Sequence, residues 1–175
     1  MAGTADTAAR PLLERLLPNE ALAVASAVLA GTAIVAVVRG QAGWERVPPL
    51  IWPHLGSILL ATLLTPVMLL RRKGDRDHRR LGYVWVAAMA LTAATSLCFN
   101  TRVPSGLGVF TGDFSFIHIL SAWVLIQLPV IVIRARNHDR RRHESAVRGM
   151  VAGALLVAGF FTFPFDRMMG HWLLG

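Results

Sequence analysis

An all-α, polytopic membrane helix bundle is the fold class this sequence predicts, and three observations predict it. The 175 residues are 54% hydrophobic and only 16% charged, with positive mean hydropathy, which lies outside ordinary soluble composition. Five apolar segments, at residues 21–38, 50–70, 83–99, 114–133 and 147–165, each come close to the ~20 residues a helix needs to cross the hydrocarbon core. The basic residues fall between these segments, where they set topology. A net charge of +8 would suggest a nucleic-acid partner in a soluble chain, but no aromatic-interleaved basic groove is present, and nucleic acid is excluded.

Residues 1–20 are polar and mixed and form an N-terminal cytoplasmic segment, with Asn19 expected to cap the first helix. Residues 21–175 form a single transmembrane domain. Segment 21–38 is rich in small residues and has no ionisable group; it is long for a signal-peptide core and is read as retained. Trp44 marks an interface before Pro48 and Pro49. Segment 50–70 carries His54 near its start and Pro66 near its end, where a kink is expected. Segment 83–99, full of Ala, Thr and Ser, permits close helix approach. Segment 114–133 carries His118 near its start, and in 147–165 Gly149 and Gly153 form a small-xxx-small pair. Asp166 to Gly175 is a short tail holding Arg167 and His171.

Charge counting orients the bundle. Stretches 71–80 and 134–148 hold six Lys or Arg each and the N-terminal segment two, so fourteen of the eighteen lie on one side. The positive-inside rule then puts the N-terminus and both basic loops in the cytoplasm and the C-terminus outside, in the cytoplasmic membrane of a bacterium. Basic loops of this kind also attract anionic lipid.

The last four segments read as two copies of one hairpin. HLGSILLATLLTPVMLLRRKGDRDH, starting at His54, aligns with HILSAWVLIQLPVIVIRARNHDRRRH, starting at His118, with histidine-to-histidine gaps of 24 and 25 residues. Ser57 and Ser121 each lie three residues after the first histidine, and Pro66 and Pro129 lie twelve and eleven after it. Because the copies share orientation, the axis relating them runs along the membrane normal. It pairs His54 with His118 near the outer face and His78 with His143 near the inner face.

Paired imidazoles facing each other across a bundle suit an iron whose four equatorial positions a porphyrin fills, that is, bis-histidine haem b. One helix separates the two levels by roughly 25 Å, at 1.5 Å rise per residue, so two haems would make an electron path across the bilayer. Ser57 and Ser121, one turn below the outer histidines, are candidate hydrogen-bond partners for them. The single cysteine, Cys98, excludes an internal disulfide and any cysteine-based cluster, and no C-x-x-C-H motif for covalent haem is present. A second constellation at the outer face, His54, His118 and His171 with Asp113, has the donor types for zinc with one open position.

At HLG, KGDRDHRRLGYVW, FSFIHILSA and the later His143 with Met150, the sequence resembles a bacterial family of predicted membrane proteins, a domain of unknown function. His78, Arg79 and Gly82, its H-R-x-x-G element, are the most distinctive part. The resemblance covers most of residues 50–170 and implies a membrane fold without a named activity. The second copy departs from it in following His143 with Glu144 instead of Arg. The four-helix, four-histidine layout is also similar, in layout alone, to transmembrane di-haem cytochromes b.

The expected function is therefore b-type-cytochrome-like electron transfer with quinol or a membrane protein as partner. Two alternatives stand beside it: a non-enzymatic subunit of a larger membrane complex, which needs no cofactor, and a zinc-dependent membrane hydrolase.

Overall fold

The computed structural model describes residues 16–99, 116–164 and 166–175, and every regular element among them is helical. Helix α1 is Asn19–Arg39, continued by a 3₁₀ segment Gly40–Arg46; α2 is Ile51–Leu70, α3 Arg76–Leu97 and α4 Phe116–Arg136. Helix α5, Arg140–Met150, runs on through a π-helical stretch Val151–Val157 into a last turn, α6, Ala158–Phe160, and α7, Met168–Leu174, follows. Each long helix packs on the next in sequence, and the π-helical stretch returns to α1 and α2.

Among the described residues three helices are long and apolar enough to cross a membrane: Asn19–Arg46, Ile51–Leu70 and Ile117–Arg136. Neither α3 nor the rod that begins with α5 reaches that standard, although the sequence predicts a span in each. The reason is physical. The second half of stretch 71–80 and most of 134–148, expected as loops, are helix, so each of these helices opens with charged turns that precede its apolar part.

Aspartate caps make this possible. Asp75 accepts a hydrogen bond from the backbone N–H of His78 at 2.6 Å and starts α3; Asp139 accepts one from that of Arg142 at 3.2 Å and starts α5. Before each aspartate stands a residue in the left-handed conformation, Gly74 at φ 84° and His138 at φ 57°. The two turns are thus built alike, but His78 is the third residue after its cap and His143 the fourth, which accounts for the one-residue difference in the histidine gaps.

Other expectations need correction. Asn19 does not cap α1: Pro18 occupies the cap position, and the Asn19 side chain instead accepts from Arg148 Nε at 3.1 Å, tying α1 to α5. Gly149 and Gly153 face open space, since a Cβ on either would meet nothing within 4 Å. The close approach is made six residues after Gly153, at Gly159, where a Cβ would lie 2.7 Å from Leu29 on α1. The last apolar segment ends as a helix at Phe160, short of residue 165. The tail beyond it is not merely a tail. Helix α7 packs on α1, and Trp172 lies so close over Gly40 that a Cβ there would be 2.1 Å from the indole.

The core is one cluster running between the helices, including Met89, Trp85, Met150, Val151 and Leu155, and a smaller one where Ala36, Leu55 and Met169 meet. Pro66 lies inside α2 and Pro129 inside α4. Each removes the N–H that the carbonyl four residues earlier would accept.

Candidate functional site

The four hairpin histidines lie at two ends of the bundle. At one end His54 sits in the first turn of α2 and His118 in the first turn of α4, with α3 packed against both helices. His54 Nδ1 is 3.1 Å from the carbonyl oxygen of Thr92 and 3.1 Å from Thr95 Oγ1. The carbonyl can only accept, and the Thr95 hydroxyl already donates to Leu91 O at 2.7 Å. Nδ1 therefore carries the proton in the neutral ring and Nε2 is left with its lone pair. The ring also meets Phe99 edge-on at 5.0 Å between centroids. His118 is buried.

The serines expected beside these histidines act on α3. Ser57 Oγ donates to His54 O at 3.0 Å and shares a 2.8 Å hydrogen bond with Thr92 Oγ1, while Ser121 Oγ donates to Ile117 O and bonds to Ser96 Oγ. Thr92, Thr95 and Ser96 form a hydroxyl seam on α3 that receives both neighbours. The sequence shows these residues only as small side chains; their hydroxyls are what the neighbouring helices bind.

The donors of the zinc constellation do not gather. Among the described residues no three His, Cys, Asp or Glu side chains come together as a metal site. His171 donates from Nε2 to Asp166 Oδ1 at 2.6 Å in an exposed pair, and Asp113 lies outside the described residues.

At the opposite end, His78 and His143 line one cavity of about 520 Å³. Its deep wall is apolar, formed by Met68, Leu69, Trp85, Ile131 and Val151, and Trp85 Nε1 is satisfied by Thr65 Oγ1 at 3.0 Å. His143 Nδ1 lies 3.0 Å from Ile131 O, so here too the proton is on Nδ1 and Nε2 is the open nitrogen. His78 Nδ1 is buried and has no hydrogen-bond partner among the described residues. Burial, and then the nearby charges of His143, Arg71 and Lys73, hold the His78 imidazole below its ordinary pKa against the pull of Asp75, which favours the neutral ring.

Glu144 is the acid of this cavity and the residue that sequence reasoning undervalued. Its carboxylate pairs with Lys73 Nζ at 3.1 Å, Arg140 Nε at 2.8 Å and Arg148 Nη2 at 3.6 Å. Burial alone would raise its pKa; the hydrogen bonds from Arg140 and Lys73 outweigh that and hold it below the usual carboxylate value. The departure from the first copy's Arg was the available signal. It places one carboxylate among five cavity-lining cations: Lys73, Arg79, Arg136, Arg140 and Arg148.

No family model, no curated protein and no solved structure matches the chain. Two imidazoles, an apolar wall and a cationic mouth together suit a flat, apolar, carboxylate-bearing group that binds through metal.

Proposed function

We propose that this chain is a membrane electron-transfer protein of b-type-cytochrome character, with haem b held between His78 and His143. The observation that supports this most is the single cavity that both histidines line, apolar at depth and cationic at its mouth. When bound, haem b supplies a one-electron iron couple. The residues of the chain hold, orient and shield it. The Ile131 carbonyl fixes the His143 tautomer, a hydrogen bond that also raises the basicity of the ligating nitrogen. Met68, Leu69 and Trp85 exclude water, and Lys73 and Arg140, held by Glu144, offer positive charge to the propionate carboxylates.

In this reading all five long helical segments cross the membrane, the basic turns lie in the cytoplasm, and the last four segments are a duplicated hairpin. The matched turns, left-handed residue then aspartate cap, support the duplication. His54 and His118 then form a second centre at the outer face, with quinol or a membrane protein as electron partner.

Absorbance of the purified full chain, supplied with haem during expression, is the test. An intense band in the violet that sharpens and moves on reduction with dithionite is expected. A colourless protein that takes up no haem on titration would rule the reading out in favour of an accessory subunit.

A further inference from the structure

A second depression lies beside the histidine cavity. It is an apolar groove of about 360 Å³ between α3 and α4, lined by Val86 and Ala90 on one side and by Leu125, Leu128, Pro129, Val132 and Ile133 on the other. Val86 and Val132 line both spaces, so groove and cavity adjoin. Its residues follow helical spacing. On α3, Arg79, Tyr83, Val86 and Ala90 stand three or four apart, and on α4 so do Leu125, Leu128 or Pro129, Val132 and Arg136. Each helix therefore presents one stripe that is apolar toward the bundle middle and ends in an arginine at the cavity mouth.

Those two arginines are exposed. Among the described residues Arg79 donates only to the Gly74 carbonyl, at 3.3 Å, and no acid pairs with Arg136. The one acid of the cavity, Glu144, is already engaged by Lys73, Arg140 and Arg148. Positive charge is thus uncompensated just where the groove opens. Tyr83, half exposed at 54%, stands between Arg79 and Val86, at the level where aromatic side chains meet headgroups. From Leu125 to Arg136 the helix rises about 16 Å, close to the depth of one leaflet of a ~30 Å hydrocarbon core.

We propose that the α3–α4 groove seats one anionic phospholipid of the cytoplasmic leaflet, its phosphodiester between Arg79 and Arg136 and one acyl chain along Val86, Ala90, Leu128 and Val132. The groove has almost no polar lining, so a quinone ring would find nothing to hydrogen-bond there, whereas an alkyl chain needs nothing. The inference rests on the reading that α3 and α4 both cross the membrane, and is independent of haem.

The test is native mass spectrometry of the full chain released from nanodiscs of phosphatidylcholine containing a minor fraction of phosphatidylglycerol with matched chains. Retention of one phosphatidylglycerol per protein is expected, with phosphatidylcholine retained far less. Arg79→Gln and Arg136→Gln should each weaken retention about fivefold, the worth of one basic residue near an anionic surface. Ala90→Phe should lower it by filling the groove without changing charge, and Val132→Phe repeats that test from α4 should the first variant fold poorly. Equal retention of the two lipids would overturn the proposal. So would displacement of the lipid by millimolar inorganic phosphate together with indifference to both phenylalanine variants, which would mark a bare anion site. Lipid is read by mass and haem by absorbance, so either reading can fail without the other.

Discussion

His143 places its Nδ1 3.0 Å from the carbonyl oxygen of Ile131, across the turn that joins α4 to α5. The backbone thereby decides which ring nitrogen is available, and it does so on the residue that shares a cavity with His78. If the two rings serve one centre, losing either empties it. His78→Ala and His143→Ala should each abolish the same fraction of bound haem, and the double variant should lose little more, because ligands acting as a unit are non-additive. Haem content per protein and the reduced-minus-oxidised difference spectrum measure this. Two partial and additive losses would separate the residues.

The left-handed residue at position 138 is a histidine where the equivalent turn has Gly74. A side chain with a Cβ in that conformation costs roughly 1–2 kcal/mol, partly offset by the greater unfolded-state entropy of glycine, roughly 0.5–1 kcal/mol. His138→Gly should therefore stabilise the protein modestly, by about 0.5 kcal/mol. Gly74→Ala should destabilise it by about 1 kcal/mol. Thermal melts in one detergent, followed by circular dichroism, give both signs. A destabilised His138→Gly would mean that the imidazole contributes contacts worth more than the backbone cost.

These two turns show what the sequence reveals and what it hides. Apolar segments are legible because hydropathy is a local property, and the helical class follows from them. Helix starts are less legible: Asp75 and Asp139 turn charged stretches into helix, so runs rich in Arg that look like loops become the first turns of α3 and α5. That His78 and His143 fall at the same end of the bundle is readable from spacing alone. The hydroxyl seam of Thr92, Thr95 and Ser96 is not, because it depends on which face of α3 meets α2 and α4, and that is settled by packing across the bundle. Glu144 is hidden in part for the same reason: Arg140 and Arg148 stand four residues to either side of it on α5, but Lys73 reaches it from the turn before α3, a contact set by packing.

Asp75 gives the α3 cap a pH dependence with a definite sign. The hydrogen bond from His78 N–H, assisted by Arg71, holds its carboxyl below the ordinary 3.8. A depressed folded-state pKa contributes stability that is fully present above the unfolded value and is lost as pH falls through the folded one. Wild type should therefore be more stable than Asp75→Asn at pH 7, and the gap should close below pH 3.8. Melting temperatures of both proteins across that range check it. A gap that stays constant to the lowest pH would show that the charge of Asp75 adds nothing to its role as a cap.

The hydroxyl seam makes a separate prediction for the other end of the bundle. His54 Nδ1–H is shared between the Thr92 carbonyl and Thr95 Oγ1, both at 3.1 Å, so removing the hydroxyl leaves the tautomer in place while weakening its hold. Under the proposed haem reading, Thr95→Val, which conserves shape, should keep the outer centre but lower its haem affinity about tenfold, the lower range for losing an outer partner of a ligating histidine. Its midpoint potential should rise, because a less basic imidazole stabilises the oxidised iron less. His54→Ala should remove that centre altogether, and so should His118→Ala. None of the three should alter the signal that depends on His78 and His143. Redox titration of the two spectral components reads these effects separately. A Thr95→Val change that shifted the inner component instead, or His54→Ala and His118→Ala losses that were distinct and additive, would return His54 to a purely structural tie between α2 and α3.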